Sequence, residues 1–432
     1  MIELSPLTKK ISIRTQVPTS KSYTNRALLL AALADGKSTI QNPLESDDTK
    51  VMIKALKELG VKITRKKSKK GGISFKVQGL GGKLNKPSRT LYLGNAGTAV
   101  RFLTAALSNQ DFKSKVTGNK RMQERPLKDL IEALTLLGAE IKSTKNNHCP
   151  PITIKGPLTA SKTTVEGSIS SQYLSALLMT APTLKSEVSI KVKGKLTSLP
   201  YIIMTLDIIN SFGVRIKHKD FKEFQISPAI YKPQKYHVEG DASSATYPLA
   251  MAAISGGKAT ITNLNKNSKQ ADLKFLDILK KMGCTVSKTD KQIQVEGPKQ
   301  VKPLGTIDLN ALPDAAMTVA VLCSFAEGKS KLTNIGNLRV KETDRLHALK
   351  TELKKIGVKV KDGPDYLEID GNPEKLHGAT IETYDDHRMA MCFAVAGSKI
   401  PGIKIKNPEC TTKTYPTFWK DLKKWGIKSK KI

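Results

Sequence analysis

The stretch Ile356-Gly357-Val358-Lys359-Val360 joins the end of an amphipathic helix pattern to the start of a short strand pattern. Stretches of the same kind recur along the chain, so that six such glycines lie 69 to 78 positions apart. The other five stretches begin at Leu59, Leu137, Phe212, Met282 and Trp425. In each copy the glycine stands where a helix end needs a positive φ before the chain turns into a strand. The repeat therefore predicts six α+β units of about 70 residues.

Six units of this size predict two lobes. A unit of about 70 residues is too small to bury two helices well by itself. The whole chain of 432 residues, in turn, exceeds the size at which a single core stops growing. Three units packed around shared helices would form one lobe, which places the break between lobes near residues 236–241. Substrates are expected in the cleft between such lobes.

The composition is typical of a soluble globular protein, with 39% hydrophobic and 25% charged residues. No apolar run approaches the roughly 20 residues that span a bilayer, and the first residues resemble neither a signal peptide nor a transit peptide. The five cysteines are scattered, and none forms a Cys-x-x-Cys pair. This pattern predicts reduced thiols in the cytoplasm, without a disulfide framework or a zinc site.

The formal net charge of +34 fits three classes of partner: nucleic acid, a membrane surface or anionic small substrates. Only 5% of the residues are aromatic, and the basic residues are not interleaved with them. The chain also lacks a recognition-helix, zinc or RNP-type pattern. A non-enzymatic nucleic-acid-binding protein, whose affinity would depend steeply on salt, is therefore kept only as an alternative.

The stretch 337–345 carries the most concentrated charge of any candidate site. If a helix begins near Lys341, then Lys341 and Arg345 share one face, with Glu342 one turn below Arg345. Two cations and a carboxylate on the opening turn of a helix can form an anion site with a built-in acid/base. Taken alone, however, such a stretch is more often a solvated turn with local ion pairs.

Other predicted helix starts also combine small polar caps with cations. Lys21 follows the potential caps Thr19 and Ser20, and Gly97 leaves room for a ligand at a helix N-terminus. Further candidates at helix starts are Asn95, Arg125, Ser170, Ser171, Gln172, Asp314, His387 and Arg388. A metal site is not supported at His387, because no second His or carboxylate lies four residues further on. Together the helix starts predict a substrate, or a pair of substrates, with several negative charges.

The motifs resemble those of the 5-enolpyruvylshikimate-3-phosphate synthase family over essentially the whole chain. The matching motifs are Pro18-Thr-Ser-Lys-Ser, Leu93-Gly-Asn-Ala-Gly-Thr, Arg125-Pro, Ser170-Ser-Gln, Gly240-Asp-Ala-Ser-Ser-Ala, Pro313-Asp-Ala-Ala, Arg339-Val-Lys-Glu-Thr-Asp-Arg, Asp386-His-Arg-Met-Ala and Thr412-Lys-Thr-Tyr-Pro. The resemblance implies an α+β fold, a two-lobed inside-out α/β barrel of six repeated βαβαββ units with three in each lobe. It implies a C-terminal lobe of residues 1–20 and 241–432 on the catalytic and phosphoenolpyruvate side. Residues 21–240 would form the N-terminal lobe on the shikimate 3-phosphate side, with crossing strands near residues 20 and 240.

The family transfers the enolpyruvyl group of phosphoenolpyruvate to the 5-hydroxyl of shikimate 3-phosphate and releases phosphate, on the shikimate pathway to chorismate and aromatic amino acids. The resemblance implies a monomer that uses no cofactor and no metal. It assigns shikimate 3-phosphate to Lys21, Ser22, Arg26, Ser170, Ser171, Gln172, Ser198, Tyr201, Asp314, Asn337 and Lys341. It assigns phosphoenolpyruvate to Lys21, Asn95, Gly97, Arg125, Gln172, Arg345, His387, Arg388 and Lys413.

Three residues are expected to move protons in this reaction. The resemblance and the chemistry together favour Glu342 as the acid/base at the methylene carbon and Asp314 as the base at the 5-hydroxyl, while Lys21 protonates the leaving phosphate. The arginines would supply the electrostatic stabilisation.

Two positions depart from the family pattern. Thr19 stands where glycine is common, and Phe102 stands where the glyphosate-sensitive branch usually has proline. Gly97 and Thr98 are kept, so the chain is expected to be a glyphosate target. The nearest alternative activity is that of UDP-N-acetylglucosamine 1-carboxyvinyltransferase, which relies on a cysteine in a mobile loop. The corresponding turn at 118–123 has no cysteine.

Overall fold

The computed structural model of the protein describes residues 1–7, 9–68 and 72–432. The chain divides into two compact units. We call Met1–Pro18 together with Gly240–Ile432 the C-terminal unit, and Thr19–Glu239 the N-terminal unit.

The twelve α-helices of the described residues are α1 (Lys21–Leu33), α2 (Asp47–Glu58), α3 (Gly97–Ser108), α4 (Lys128–Leu136), α5 (Ser171–Thr180), α6 (Leu199–Ser211), α7 (Ala242–Ser255), α8 (Phe275–Lys281), α9 (Ala316–Ser324), α10 (Arg345–Lys355), α11 (His387–Gly397) and α12 (Phe418–Lys424). The strands are β1 (Ile2–Ser5), β2 (Ser12–Thr15), β3 (Lys37–Gln41), β4 (Lys62–Lys67), β5 (Ile73–Gln78), β6 (Leu91–Tyr92), β7 (Lys113–Thr117), β8 (Glu140–Ser143), β9 (Ile152–Lys155), β10 (Lys162–Glu166), β11 (Val188–Lys193), β12 (Lys217–Lys219), β13 (Glu223–Ile226), β14 (Lys235–His237), β15 (Lys258–Ile261), β16 (Thr285–Lys288), β17 (Ile293–Glu296), β18 (Gly305–Asp308), β19 (Gly328–Thr333), β20 (Lys359–Asp362), β21 (Leu367–Gly371), β22 (Thr380–Ile381), β23 (Lys404–Ile405) and β24 (Lys428–Lys431).

Across the described ranges these strands form six four-stranded sheets, three in each unit. The N-terminal unit has the orders β14-β3-β5-β4, β6-β7-β9-β8 and β10-β11-β13-β12. The C-terminal unit has the orders β16-β17-β15-β2, β18-β19-β21-β20 and β22-β23-β1-β24. Each sheet contains one parallel pair, such as β6 with β7, and its other neighbouring strands are antiparallel. The predicted fold class, six βαβαββ units with three per lobe, is confirmed.

The six repeat glycines lie at helix ends, as the sequence predicts. Their φ angles run from 83° to 107°. At Gly357 the backbone N–H donates to the Lys354 carbonyl at 3.1 Å, and an added Cβ would lie 2.3 Å from the Lys375 carbonyl oxygen. A residue with a side chain is therefore excluded from this turn both by conformation and by space.

Each unit has a buried core of its own, built around helices that are buried along their whole length. These are α3 in the N-terminal unit and α9 and α11 in the C-terminal unit. Because they are covered on all sides, they are rich in small and apolar residues without an exposed polar stripe. Within the ranges that the structure describes, we find no helix with the length and hydropathy needed to cross a membrane.

The start of α10 differs from the sequence-based prediction. The helix begins at Arg345, because the Asp344 side chain accepts a hydrogen bond from the backbone N–H of His347 at 3.0 Å and caps it there. Lys341 lies outside the helix in an extended conformation. The prediction that Lys341 and Arg345 lie one turn apart on a helix face is therefore wrong.

Candidate active site

The Arg345 guanidinium is the centre of a buried cluster in the C-terminal unit. Its Nε donates to Asp386 Oδ2 at 2.7 Å, and its Nη2 donates to Glu342 Oε2 at 2.9 Å. Its Nη1 lies 3.3 Å from Asp314 Oδ1. Arg345 and Asp386 are almost completely buried. Three carboxylates therefore fix one guanidinium in a single orientation.

Asp314 connects Arg345 to a second arginine. Its Oδ2 accepts from Arg388 Nη2 at 2.9 Å, while its Oδ1 faces Arg345. Arg388 Nη1 also lies 3.4 Å from the Tyr247 hydroxyl. Asp314 was predicted from the sequence as a candidate site residue at a helix start. Helix α9 starts at Ala316, and the Asp314 side chain bridges the two arginines.

Glu342 lies between a guanidinium and an ammonium. Its Oε2 accepts from Arg345, and its Oε1 lies 3.9 Å from Lys413 Nζ. The Glu342 side chain is 8% exposed and the Lys413 side chain 11%. A carboxyl group that is nearly buried and held in a fixed position can act in proton transfer when a substrate lies within hydrogen-bond reach.

Burial and nearby charges shift two pKa values in this cluster. Burial lowers the pKa of Arg345, but the charges of Asp386, Glu342 and Asp314 outweigh it and raise that pKa overall. Burial raises the pKa of Asp272 to about 7. The negative charge of Asp314 adds to this rise, and the positive charge of Arg388 opposes it. The Asp272 carboxylate accepts a short hydrogen bond from the Ser243 hydroxyl.

The remaining predicted residues of this unit lie on adjoining segments. Asn337 is on a short 3₁₀ helix, Gly336–Val340, and Lys341 follows it directly. His387 is the first residue of α11, and its Nδ1 lies 3.4 Å from Asp386 Oδ1. Arg388 follows on the same buried turn, so α11 presents both predicted residues at its start, as expected.

In the N-terminal unit, Lys21 opens α1. Ser20 caps this helix, its hydroxyl accepting from the backbone N–H of Tyr23 at 3.4 Å. Lys21 Nζ lies 3.2 Å from Asp48 Oδ2, and both side chains are mostly buried. The predicted cap at Thr19 or Ser20 is thus confirmed at Ser20.

Arg26 is a second largely buried cation on α1. Its Nε donates to the Thr205 hydroxyl at 2.8 Å, and its Nη2 lies 3.4 Å from the Ser175 hydroxyl. The guanidinium carbon lies 5.2 Å from the centre of the Phe102 ring. Burial lowers the pKa of Arg26 to about 10. These contacts join α1 to α3, α5 and α6.

The turn at Gly97 is in contact with two arginines, Arg101 and Arg125. Arg125 Nη1 donates to the Asn95 carbonyl at 3.1 Å and to its side-chain oxygen at 3.0 Å. Arg101 Nη1 donates to the Gly97 carbonyl at 3.0 Å. A Cβ on Gly97 would lie 2.6 Å from both Arg101 Nη1 and Arg125 Nη2. Only glycine fits at the start of α3 with both guanidinium groups in place.

The start of α5 lies beside the start of α3. Ser170 caps α5 by accepting from the backbone N–H of Gln172 at 3.3 Å. Gln172 Nε2 in turn lies 3.4 Å from the Thr98 hydroxyl on α3. Ser171 is the first residue of α5. On α6, Ser198 stands at the cap position with φ +54°, and Tyr201 is in the first turn.

Sequence reasoning missed two carboxylates that hold the predicted cations. Asp386 was quoted only as part of a motif, although its place before α11 marked it as a cap, and its side chain does accept from the Arg388 backbone N–H at 2.9 Å. Asp48 is the ion-pair partner of Lys21, 27 positions earlier. No local pattern signals such a contact, because it depends on how α1 and α2 pack.

Comparison with known proteins gives consistent matches. A family model described as EPSP synthase (3-phosphoshikimate 1-carboxyvinyltransferase) matches residues 6–422. The chain is 44% identical over 422 residues to a 3-phosphoshikimate 1-carboxyvinyltransferase of Shewanella pealeana, covering 97% of each chain. It is 45% identical over 411 residues to a protein of the same name from Escherichia coli, covering 94% of each. A solved EPSP synthase of Acinetobacter baumannii superposes with a TM-score of 0.80 at 26% identity, covering 100% of this chain and 99% of that one.

Proposed function

The chain belongs to the EPSP synthase (3-phosphoshikimate 1-carboxyvinyltransferase) family, and from that premise we propose how its residues carry out the family's reaction. The protein is an enolpyruvyl transferase. It transfers the enolpyruvyl group of phosphoenolpyruvate to the 5-hydroxyl of shikimate 3-phosphate and releases phosphate. This reaction lies on the route to chorismate and the aromatic amino acids.

The observation that carries the residue assignment is the contact of Glu342 and Asp314 with three cations in one unit. Arg345, Arg388 and Lys413 lie within 2.9 to 3.9 Å of these two carboxylates. Substrates with phosphate and carboxylate groups require cations for binding, and arginine binds two oxygens of such a group at once. Proton transfer requires carboxyl groups at the same place.

Each proton transfer has a proposed group. Glu342 gives a proton to the methylene carbon of phosphoenolpyruvate, and Asp314 takes the proton of the 5-hydroxyl as the C–O bond forms. In the elimination Glu342 takes a methyl proton back, the double bond is restored and the bond to phosphate breaks. Lys21 gives a proton to the leaving phosphate. The arginines stabilise the negative charge throughout.

We assign the substrates as the family resemblance implies. Shikimate 3-phosphate is bound by Lys21, Ser22, Arg26, Ser170, Ser171, Gln172, Ser198, Tyr201, Asp314, Asn337 and Lys341. Phosphoenolpyruvate is bound by Lys21, Asn95, Gly97, Arg125, Gln172, Arg345, His387, Arg388 and Lys413. In this assignment the N-terminal unit supplies most of the residues for shikimate 3-phosphate, and the C-terminal unit supplies Glu342 and Asp314.

Phosphate release tests the proposal. The protein is incubated with phosphoenolpyruvate and shikimate 3-phosphate as the only acceptor, and phosphate is measured over time. Release that requires both substrates supports the proposed function, whereas no release at any protein concentration refutes it. UDP-N-acetylglucosamine as the acceptor tests the alternative activity, which the names of the relatives do not favour.

Two further properties are proposed. We expect the protein to work in the cytoplasm, because its five cysteines are unpaired and buried. We also expect a monomer, because each unit buries its own apolar core. Light scattering at the concentration of the activity assay measures the mass in solution, to be compared with 47.2 kDa for one chain.

A further inference from the structure

A buried carboxylate that has no part in the proposed chemistry holds the turn before α11. Glu352 lies on α10, and its side chain is fully buried. Its Oε1 accepts from the Tyr384 hydroxyl at 2.7 Å, and its Oε2 accepts from the Glu382 backbone N–H at 3.1 Å. Lys355 Nζ lies 2.9 and 2.8 Å from the two oxygens. Because every partner is a donor, the carboxylate is stabilised as an anion in a fixed orientation.

The turn that Glu352 contacts has an unfavourable backbone. Tyr384 and Asp385 both have φ +54°, the left-handed region that residues with side chains rarely occupy. Two such residues in succession persist only where surrounding contacts hold them. On the outer side of the turn Asp385 Oδ1 accepts from Asn407 Nδ2 at 3.1 Å. On the inner side the contact comes from Glu352.

The turn leads directly into the candidate active site. Its next residue is Asp386, which caps α11 and accepts from Arg345. Arg345 and Glu352 are seven positions apart on α10, so they lie on the same face of the helix. One helix therefore fixes this turn at two points, Glu352 with Tyr384 and Arg345 with Asp386. Arg388 stands two residues after Asp386, at the start of the helix that the turn orients.

We propose that Glu352, acting through Tyr384, is a positioning residue for Arg345 and Arg388, the two arginines of the C-terminal unit that are assigned to phosphoenolpyruvate. It holds the left-handed turn, the turn places Asp386, and Asp386 orients Arg345 and the first turn of α11. The proposal rests on the proposed function, since it concerns binding of one of the two substrates. If the turn loosens, the two guanidinium groups remain present but are held less precisely in orientation. The affinity for phosphoenolpyruvate should then fall more than the affinity for shikimate 3-phosphate.

Steady-state kinetics of Tyr384→Phe and Glu352→Gln test this role. Tyr384→Phe removes one hydroxyl and keeps the ring, and Glu352→Gln keeps the shape and removes the charge. We expect the KM for phosphoenolpyruvate to rise about tenfold in Glu352→Gln and several-fold in Tyr384→Phe. The KM for shikimate 3-phosphate and kcat at saturating phosphoenolpyruvate should stay within about twofold of wild type. The KM for phosphoenolpyruvate in the double variant should not exceed that of Glu352→Gln alone, because both changes act on the same contact between residues 352 and 384.

Matched controls lie in the same unit. Tyr366→Phe changes a ring that stacks on Lys331 at 4.1 Å, and Glu368→Gln changes a surface partner of Lys331 at 2.8 Å. Both should show wild-type kinetics. If Glu352→Gln does not fold, Tyr384→Phe decides, because it removes a single hydroxyl.

Two results would overturn the positioning role. One is a wild-type KM for phosphoenolpyruvate in Tyr384→Phe. The other is an equal rise of the KM for both substrates together with a lower unfolding midpoint. That result would show that Glu352 contributes only to stability. Failure of the proposed function looks different, because wild-type protein itself would then release no phosphate from phosphoenolpyruvate with shikimate 3-phosphate.

Discussion

Arg345 and Asp386 form an ion pair, 2.7 Å from Nε to Oδ2, in which both side chains are almost completely removed from solvent. The pair joins the first residue of α10 to the residue that caps α11. It therefore fixes the relative placement of the two helices that carry Arg345 and Arg388. Because charges this deeply buried are costly without partners, the pair couples the stability of the C-terminal unit to the geometry of its charged cluster.

Removing the charge of Asp386 should destabilise the C-terminal unit. Asp386→Asn can still cap α11 but leaves Arg345 with one carboxylate fewer. We therefore expect the free energy of unfolding to fall by about 3 kcal/mol. Urea unfolding followed by tryptophan fluorescence measures it, since Trp419 and Trp425 both lie in this unit. Asp344→Asn is the control. The Asp344 side chain, which pairs with Arg339, is 39% exposed, so this ion pair should contribute less than about 1 kcal/mol to the free energy of unfolding. Equal losses in the two variants would contradict the prediction.

Glu342→Ala should remove turnover while leaving substrate binding. Loss of an acid/base at the methylene carbon is expected to lower kcat by about 10²- to 10⁴-fold. Binding of shikimate 3-phosphate, measured by calorimetry, should be retained. The exposed Glu368→Gln serves as a control with normal kcat. Full activity of Glu342→Ala would remove Glu342 from the mechanism.

Gly97→Ala should weaken binding of phosphoenolpyruvate. The added Cβ would press on Arg101 and Arg125 at 2.6 Å, so both guanidinium groups must move. We expect the KM for phosphoenolpyruvate to rise about tenfold with a smaller change for shikimate 3-phosphate. Gly94→Ala is a useful contrast, because nothing lies within 4 Å of its Cβ but its φ is +56°. It should lower stability by about 1 kcal/mol and leave the KM unchanged.

Glyphosate should inhibit the protein in competition with phosphoenolpyruvate. Gly97 and Thr98 are present, and the departure at Phe102 is a buried ring on α3 that packs against Arg26. Initial rates at limiting phosphoenolpyruvate with micromolar glyphosate measure the effect. Unchanged turnover under these conditions would show that Phe102 alters the Gly97 turn enough to exclude the inhibitor.

Asp272 should make the C-terminal unit less stable as pH rises. Its ordinary pKa is 3.8, and burial raises it to about 7 in the folded protein. Between these values the folded protein binds more protons at Asp272 than the unfolded chain does, so the contribution of Asp272 to stability is fully present below pH 4 and is lost as pH rises through 7. Asp272→Asn should remove this fall, which is on the order of a few kcal/mol. Urea midpoints from pH 4 to 8 measure it, with Asp290→Asn, whose side chain is 67% exposed, as control.

The sequence predicts the fold well, because each repeat carries its own local signal. The glycine that follows the helix has a positive φ in each of the six copies, and six copies at a nearly regular spacing are enough to define six units. The site is less accessible to such reasoning. The α10 start was placed four residues too early, since the Asp344 cap outweighs the charge pattern around Lys341. Asp314 meets Arg345 and Arg388 across 31 and 74 positions, and local rules carry no information about such distant contacts.

The place of the first two strands has a consequence for protein synthesis. Strand β2 pairs with β15, and β1 pairs with β23 and β24, so both strands are synthesised long before their partners. At about 5 to 20 residues per second this delay is on the order of ten seconds to more than a minute. The N-terminal unit, which contains no part of residues 1–18, can fold meanwhile. Nascent chains stalled before β23 will therefore hold the unit that carries Lys21 and Arg125 in folded form, while the unit that carries Glu342 still lacks β23 and β24.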